Sequence, residues 1–402
     1  MNTQNPFAKV TRVGEILRGQ ELITPDQLDE ALALQRLWGS RLGDIVQAKG
    51  WVRSLDLYRA LARHYDRPFV DLLREPPEAA LIDESEITVY ADLLFVPWRR
   101  SGGVTTVAVA DPSEEMLQAV RLRYGEAVEF VMTAKFDIIW CLQKRGNAWL
   151  THKSVFDLAD RRPDQSARQV FTGRQIGVFG LLLALLFAAV VMWPVPTIIA
   201  INLFVAVFFL CSFGLRAMLT WVGAHKKIDL KINAAMVAEL DDRALPVYTI
   251  LVPMYKEPDT LPILSAALRR MDYPLSKLDV KLVLEEDDED TIAAAKRLGL
   301  EGIFEIIRVP PSLPKTKPKA CNYALNFARG DYVTIYDAED KPEPDQLKKV
   351  VAAFQRAPEN VVCIQARLNY FNANENWLTR MFTLEYSLWF DYYLPALEVL
   401  RI

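Results

Sequence analysis

The sequence predicts an α/β domain toward the C-terminus and an α+β domain at the N-terminus, with a two-helix transmembrane hairpin between them. Strands alternate with amphipathic helices from Val247 onward, which is typical of an open α/β sheet. Two uncharged apolar runs lie near the middle of the chain, and a helical motif occurs twice near its start. The predicted segments are an N-terminal domain at 1–150, a basic linker at 151–174, the hairpin at 175–220, a juxtamembrane linker at 221–246 and a C-terminal domain at 247–402.

Length and charge narrow the class of protein. A chain of 402 residues is long enough for two or three domains, each with its own core. The net charge of -4 and the isoelectric point near 5.7 argue against a nucleic-acid-binding protein, which would carry a basic face. The cysteines are far apart and show neither metal-binding spacing nor a disulfide framework. The start of the chain has no apolar segment, so no secretory signal peptide is predicted.

The two apolar runs, at residues 176–193 and 195–215, contain no charged residue. As helices they would be about 27 and 31 Å long, which matches the roughly 30 Å hydrocarbon core of a bilayer. Pro194 lies between the runs and interrupts the helix. The sequence therefore predicts two membrane spans, and a buried helical hairpin of a soluble protein is the alternative.

Basic residues flank both outer ends of this hairpin, whereas the turn between the spans carries no charge. Positively charged flanks stay on the cytoplasmic side of a membrane. We therefore expect a multi-pass protein of the bacterial inner (cytoplasmic) membrane with both soluble parts in the cytoplasm. The flanking residues are Arg161, Arg162, Arg168 and Arg174 before the first span, and Lys226, Lys227 and Lys231 after the second.

The repeated motif occupies residues 12–35 and 41–64. Each copy reads as a short helix, a turn and a longer helix, which begins near Pro25 or Ser54. Such short helices cannot bury their apolar faces alone, so the two copies are expected to pack as one unit. The aligned identities are Arg12 with Arg41, Gly14 with Gly43, Ile16 with Ile45, Leu28 with Leu57, Ala31 with Ala60 and Leu32 with Leu61.

Both copies open with arginine, an apolar residue and glycine, a combination that suits an anionic ligand. Glycine lets a ligand approach the backbone, and the arginine fork fits phosphate oxygens or a guanine base. Two such openings side by side suit a ligand that is itself doubled. Plain helical packing, with the arginine at a solvated position, is the alternative.

The repeat resembles the N-terminal domain of type II secretion and pilus-extension ATPases of the MshE type, and the resemblance continues to about Lys144. It includes VAVADP at residues 107–112. Members of that family bind cyclic di-GMP through two motifs of the form RLG…G…L…L…Q. No G-x-x-x-x-G-K-[ST] loop occurs, so the ATPase activity is not implied. The resemblance implies cyclic-di-GMP-binding residues Arg12, Val13, Gly14, Leu17, Leu28, Leu32 and Gln35 in the first copy, and Arg41, Leu42, Gly43, Val46, Gly50, Leu57 and Leu61 in the second.

Each copy departs from this pattern at one position. Glu21 stands in the first copy where the second has Gly50, and His64 stands in the second copy where the first has Gln35. The first copy is therefore expected to bind the ligand less tightly.

In the C-terminal domain, a charged loop follows each of three predicted strands. The strands are at 248–253, 280–284 and 333–336, and predicted helices lie at 261–271, 291–298 and 319–327. In an open α/β sheet, ligands bind at the carboxyl ends of the strands. The charged loops are 255–257, 285–290 and 337–340.

A single acidic loop is typical of solvated surface, but three at successive strand ends indicate a cation site. Like charges this close repel one another unless a cation lies among them. Magnesium or manganese is the expected ion, because both prefer oxygen ligands and are completed by phosphate oxygens.

These residues resemble the nucleotide half of family 2 glycosyltransferases with a GT-A fold. The metal motif of that family, usually D-x-D, is matched by Asp337 and Glu339, and Asp340 follows. Whether Glu339 or Asp340 binds the metal is open. Asparagine is commoner in the family at the position of Lys256. The resemblance implies donor-nucleotide contacts from Pro253, Tyr255, Glu257, Glu285, Glu286, Lys319, Asn322 and Asp337.

The order of the parts resembles the NfrB-type membrane glycosyltransferases, which are akin to cellulose synthases. This implies inverting transfer from a nucleotide-sugar, with a UDP-sugar expected, for polysaccharide synthesis under control of cyclic di-GMP. The implied partners are the lipid bilayer and an export partner in the outer membrane. Residues 376–390 are apolar and aromatic, as expected of a helix on the membrane face or of a core helix.

The acceptor-side part of that family is not found. Neither the acidic base nor the Q-x-x-R-W segment occurs before Ile402, so the acceptor base is not named. Either the chain is a fragment, or it is a donor-binding form without complete catalysis. A non-catalytic cyclic-di-GMP receptor or scaffold in the inner membrane is the alternative function.

Overall fold

The computed structural model describes residues 6–7, 11–226, 230–300 and 303–402. The chain divides into two compact units, the first formed by Met1–Arg161 and Val237–Lys348, the second by Arg162–Met236 and Lys349–Ile402. The first unit joins the N-terminal domain to the parallel sheet, and the second holds the apolar hairpin and the C-terminal helices. Lys227, one of the basic flanks, lies outside the described residues.

The N-terminal domain begins with two helical repeats, as predicted. Thr24 accepts a hydrogen bond from the backbone of Gln27, whose side chain accepts one from the backbone of Thr24. This capping box explains why the longer helix of the first repeat begins at Pro25. The four helices share an apolar core that includes Leu17 and Ile45, both completely buried. They are α1 (Val13–Gly19), α2 (Pro25–Trp38), α3 (Leu42–Ala48) and α4 (Ser54–His64).

The second half of the N-terminal domain is a three-stranded sheet with four helices. Strands one and two are antiparallel and are joined by Gly102 and Gly103, both at positive φ, which a two-residue hairpin turn requires. Strands two and three are parallel. The elements are α5 (Ile87–Asp92), β1 (Phe95–Ser101), β2 (Val104–Val109), α6 (Glu114–Tyr124), β3 (Val128–Met132), α7 (Lys135–Arg145) and α8 (Asn147–Arg161).

Two long helices, α9 (Gly173–Met192) and α10 (Pro194–His225), occupy the predicted hairpin. Both are long and apolar enough to cross a membrane, and the most apolar 18 residues of each helix are not buried in the protein. The predicted break is confirmed, because α10 starts at Pro194. Its length, about 48 Å at 1.5 Å per residue, exceeds the predicted second span.

The C-terminal sheet has the strand order β6-β5-β4-β7, and all its strands are parallel. The three predicted strands are confirmed. β6 was not predicted, because it has only five residues and the charged Glu305 and Arg308 interrupt its apolar residues, whereas the predicted strands are nearly continuous apolar runs. The elements are α11 (Ala234–Ala238), β4 (Tyr248–Met254), α12 (Leu261–Arg269), β5 (Leu278–Glu285), α13 (Glu289–Arg297), β6 (Glu305–Val309), α14 (Lys317–Leu325), β7 (Tyr332–Ile335) and α15 (Gln346–Phe354).

The chain ends in α16 (Trp377–Leu388), a π-helical turn (Trp389–Tyr393) and α17 (Leu394–Leu400). The last turns of α10 pack on this segment. A Cβ atom on Gly223 would lie 2.1 Å from the carbonyl oxygen of Tyr392, so the two backbones touch only because the residue is glycine.

Within the first unit, the N-terminal domain packs directly on the C-terminal sheet. The Gln143 side chain accepts a hydrogen bond from Arg308 N at 2.8 Å and donates one to Ile306 O at 3.5 Å. One amide side chain thus occupies the free edge of β6 in place of a neighbouring strand. Apolar residues of both parts, among them Leu142 and Ile307, belong to one continuous core.

Candidate functional site

The carboxyl ends of three adjacent strands bring the predicted acidic loops together. β5, β4 and β7 are neighbours and run parallel, so the loops that follow them open at one edge of the sheet. Glu257, in the loop after β4, lies within electrostatic range of Asp288 and of Asp337, which follow β5 and β7. The three predicted charged loops therefore lie at one edge of the sheet.

The loop after β4 is tied to the loop after β5 by backbone hydrogen bonds. Lys256 N donates to Asp288 Oδ2 at 2.5 Å, and Glu257 N donates to Thr291 Oγ1 at 3.2 Å. Asp288 also caps α13 through Thr291 N. Sequence reasoning missed Asp288 and Thr291 as positioning residues, although an aspartate before a helix signals a cap. Lys256 has a φ of +57°, a conformation that favours the asparagine more usual there.

The carboxylate of Glu257 has an oxygen atom at this edge of the sheet without a hydrogen-bond partner among the described residues. This atom, Oε2, is buried. Burial raises the pKa of Glu257, and the negative charges of Glu339, Asp337 and Asp288 raise it further. A buried carboxylate oxygen in this state lacks a proton donor or a cation, which a ligand in the loop mouth would supply.

Two carboxylates of the loop after β7, those of Asp340 and Asp337, make different contacts. Asp340 Oδ2 accepts a hydrogen bond from Asp337 N at 2.8 Å and closes the loop. Burial raises the pKa of Asp340, and the charges of Asp337 and Glu339 add to the effect. The Asp337 carboxylate forms an ion pair with Lys317.

This loop is not a complete metal cage on its own. In the described ranges, no three His, Cys, Asp or Glu side chains are grouped closely enough to hold a metal ion. Asp337 and Glu339 still supply hard oxygen donors beside the unpartnered oxygen of Glu257. Magnesium and manganese are commonly held by one or two carboxylates together with substrate phosphates, so the donor set fits such an ion with a diphosphate.

The predicted donor contact Lys319 lies inside the protein and pairs with another predicted contact, Glu285. Their side chains are 2% and 7% exposed, and Lys319 Nζ lies 3.2 Å from Glu285 Oε1. Lys319 also donates to the carbonyl oxygens of Pro310 and Ser312, at 3.4 and 3.5 Å. The pair therefore anchors the start of the 310–316 loop at the end of β5.

The remaining predicted donor contacts are placed differently. Pro253 lies within β4, Tyr255 is 41% exposed at the mouth, and Glu286 is exposed. Asn322 points away from the acidic loops, because its Nδ2 donates to the carbonyl oxygen of Ser154 on α8 at 3.0 Å.

Two further lysines lie at the mouth of the sheet. Lys315 Nζ lies 2.6 Å from Asp287 Oδ2 and 3.9 Å from the centre of the Tyr255 ring. The hydrogen bond to Asp287 raises the pKa of Lys315. Together with Lys317, it brings positive charge to the edge where the carboxylates converge. The signal in the sequence is the alternation of lysines at 315, 317 and 319.

In the repeats, the two arginines occupy equivalent positions. Arg12 is the N-cap residue of α1 and Arg41 that of α3, both with extended backbone and exposed side chains. Arg41 forms an ion pair with Asp111, at the end of the VAVADP stretch. Sequence reasoning did not select Asp111.

Most of the apolar residues predicted to bind the ligand are packing residues. A Cβ on Gly14 would lie 2.8 Å from Leu28 and 3.1 Å from Leu42, so this glycine lets the two repeats interlock. Gly50 lies against Ile303 of the parallel sheet part, and Gln35 donates to the carbonyl oxygen of Ser40 at 3.2 Å. Leu17, Val46 and Leu57 are buried in the repeat core, Val13, Leu28, Leu42 and Leu61 pack against it, Gly43 lies beside Leu57, and Leu32 is 36% exposed.

Two family models match the chain, one over the segment with the acidic loops and one within the N-terminal domain. The model of glycosyl transferase family 2 matches residues 249–398. The chain contains a family 2 glycosyltransferase domain. The MshEN domain model matches residues 65–148, so an MshEN domain precedes it, and the match begins after the two repeats. We call Val237–Lys348, which carries the acidic loops, the transferase part.

Curated relatives that match part of the chain are glycosyltransferases. A glucomannan 4-beta-mannosyltransferase of Arabidopsis thaliana, described as probable, is 28% identical over 160 residues, covering 36% of this chain and 27% of the relative. The beta-monoglucosyldiacylglycerol synthase of Trichormus variabilis is 27% identical over 157 residues, covering 38% and 33%. The matched region is thus a third or less of these relatives' length.

Two solved structures are similar to parts of the chain. One is MshE with cdg, at 23% identity and a TM-score of 0.31, covering 34% of this chain and 99% of that chain. The other is a mannosyltransferase from Pyrobaculum calidifontis in complex with GDP-Man and Mn2+, at 24% identity and a TM-score of 0.32, covering 40% and 46%.

Proposed function

We propose that this chain is a membrane-bound glycosyltransferase that takes a nucleotide-sugar donor and is controlled by cyclic di-GMP. The observation that carries the proposal is the convergence of acidic loops at the carboxyl ends of adjacent parallel strands, inside the segment matched by glycosyl transferase family 2. A UDP-sugar is the expected donor, and polysaccharide synthesis the expected role.

A magnesium or manganese ion would be held by Asp337 and Glu339, because the Asp340 carboxylate is engaged within its own loop. When bound, the ion neutralises charge on the diphosphate of the donor. Lys315 and Lys317 lie at the same mouth and suit the remaining phosphate oxygens. Asp288 fixes the loop that carries Glu257, and so orients a carboxylate within electrostatic range of residues 337–340, here called the metal loop.

The membrane location rests on the exposure of α9 and α10. A buried hairpin of a soluble protein would cover its apolar side chains, but Phe187 is 72% exposed and Phe204 is 72% exposed. α16 also exposes large apolar residues, with Trp377 at 75% and Leu384 at 63%. We therefore place the hairpin across the bacterial inner membrane, α16 on the membrane face and both soluble parts in the cytoplasm.

Control by cyclic di-GMP rests on the paired arginines of the repeats. Arg12 and Arg41 present exposed guanidinium groups from equivalent helix starts, as a ligand with two phosphates requires. The MshEN match immediately after the repeats supports the assignment.

Calorimetry of nucleotide binding tests the donor site. Asp337→Asn should abolish the dependence of UDP binding on manganese, because it removes the carboxylate that pairs with Lys317 and is proposed to hold the ion. Asp331→Asn is the matched control, since it removes the same charge at the opposite end of β7. Binding of UDP, and of GDP as the other candidate, that is equally strong with manganese, with chelator and in Asp337→Asn would refute the metal-assisted donor site.

A further inference from the structure

A buried cluster of five charges lies where the N-terminal domain meets the transferase part. Asp279 and Lys281 come from β5, Glu305 from β6 and Arg329 from the turn before β7, and all four side chains are at most 12% exposed. Lys281 Nζ lies 2.9 Å from Asp279 and 2.6 Å from Glu305. Arg329 contacts both carboxylates, at 2.9 Å for Glu305. The fifth charge, Lys135, opens α7 of the N-terminal domain and lies 3.5 Å from Glu305.

The transferase part balances its own buried charges without Lys135. The other four are two carboxylates and two cations, which already balance, as buried charges must. Burial alone would raise the pKa of Glu305, but Arg329, Lys281 and Lys135 lower it to about 2. The N-terminal domain thus adds a fifth charge, on a side chain that is 24% exposed, to a balanced buried network of four.

The same charges act on the second repeat. Arg329 and Lys135 both lie within electrostatic range of Asp44, which is three residues after Arg41 in the predicted ligand motif. Asp44 is also within range of Arg41 itself. A doubly anionic ligand bound at Arg41 would therefore change the field at Lys135 and Arg329.

On the other side, Arg329 begins the segment that leads to the metal loop. Its backbone N–H donates to Asp279 Oδ2 at 3.1 Å, and the next residue, Gly330, donates to Thr249 Oγ1 at 2.9 Å. A Cβ on Gly330 would lie 2.5 Å from Thr249 N, so the turn sits directly against β4. The four residues of β7 follow, spanning about 13 Å, and Asp337 lies just beyond them.

We infer that Lys135 couples cyclic di-GMP in the second repeat to donor binding at Asp337, through Glu305, Arg329 and β7. The inference rests on the proposed function, and it names the residue through which the two sites communicate. Because coupling between two binding sites is reciprocal, donor nucleotide should raise or lower cyclic di-GMP affinity by the same factor.

Full-length protein in lipid nanodiscs tests the coupling. Binding of UDP or GDP with manganese is titrated with and without saturating cyclic di-GMP, and the ratio of the two dissociation constants is the coupling factor. We expect a factor of about 5–150 in wild type, falling below about 2 in Lys135→Met with cyclic di-GMP affinity itself unchanged. Lys135→Arg should retain the coupling because it keeps the charge. Lys144→Met is the matched control, since Lys144 is an exposed lysine on the same helix.

Each outcome separates the inference from the proposed function. No saturable cyclic di-GMP binding, or a coupling factor of one in wild type, would refute control by this ligand and the coupling with it. Wild-type coupling that persists in Lys135→Met would overturn only the role of Lys135. Loss of cyclic di-GMP affinity in Lys135→Met would make it a ligand contact and also overturn that role. Amide exchange of residues 329–335 gives a second readout, and cyclic di-GMP should change it in wild type but not in Lys135→Met.

Discussion

Breaking the buried pair of Glu285 and Lys319 should lower the stability of the transferase part. Nucleotide affinity measured below the unfolding transition should not be lost directly. Glu285→Gln removes the negative charge beside the Lys319 ammonium, which is 2% exposed and otherwise contacts only uncharged oxygens of Pro310 and Ser312 at 3.4 to 3.5 Å. Removing one partner of a buried pair costs about 3–5 kcal/mol. At about 2–4 °C per kcal/mol for domains of this size, the midpoint of thermal unfolding should fall by about 6–20 °C.

Thermal unfolding followed by tryptophan fluorescence measures this effect, with UDP affinity measured in parallel below the transition. Lys319→Met should destabilise to a similar extent, and the double variant Glu285→Gln/Lys319→Met should recover most of the loss, because neither charge then remains unpaired. Glu286→Gln is the matched control, since this neighbouring carboxylate is exposed. Additive losses in the double variant, or a Lys319→Met variant that loses UDP affinity while keeping its unfolding midpoint, would refute the reasoning and make Lys319 a direct donor contact.

Two further predictions concern the membrane and the repeats. Reporter fusions after Ser166 and Lys231 should read cytoplasmic and a fusion at Trp193 periplasmic; a periplasmic signal from either of the first two would contradict the hairpin. Arg41→Ala should weaken cyclic di-GMP binding about tenfold or more, since a charge-assisted bond contributes about 1.5–3 kcal/mol, and Arg12→Ala should have the smaller effect. Isothermal titration of the full chain measures both, and an unchanged affinity in Arg41→Ala would exclude the second repeat as the ligand site.

The fold could be predicted well where local patterns dictate it. The apolar strands β4, β5 and β7, the capped helix at Pro25 and the break at Pro194 all follow from residue type and spacing. β6 was not predicted because residues 305–309 are a short stretch with two charged residues, and the backbone edge of this strand is satisfied by a distant part of the chain, through Gln143. Such long-range cover leaves no trace in the local sequence.

The candidate site could be predicted as a set of loops but not as a set of contacts. The positions of the strand ends predicted where the carboxylates gather, because the carboxyl ends of parallel strands lie at the same edge of a sheet. These positions did not predict that Asp340 closes its own loop or that the Glu285 side chain turns inward to Lys319. Which of several neighbouring carboxylates faces the solvent depends on packing at single side chains, and sequence spacing does not encode it.

Asn322 shows why the relation between the two parts of the first unit matters for control. Sequence reasoning assigned it to the donor, but its amide donates to Ser154 of α8, while Lys319 on the same helix donates to Pro310 in the 310–316 loop. Helix α14 therefore contacts the N-terminal domain with one side chain and the 310–316 loop with another, one turn apart. Together with the contact of Lys135 to Glu305, this means that the N-terminal domain contacts two elements of the transferase part, α14 and β6. A regulator joined by a flexible linker would make neither contact. Lys135→Met alone should already remove most of the coupling, and replacing Asn322 as well should make cyclic di-GMP and donor bind independently, measured by the same ratio of dissociation constants.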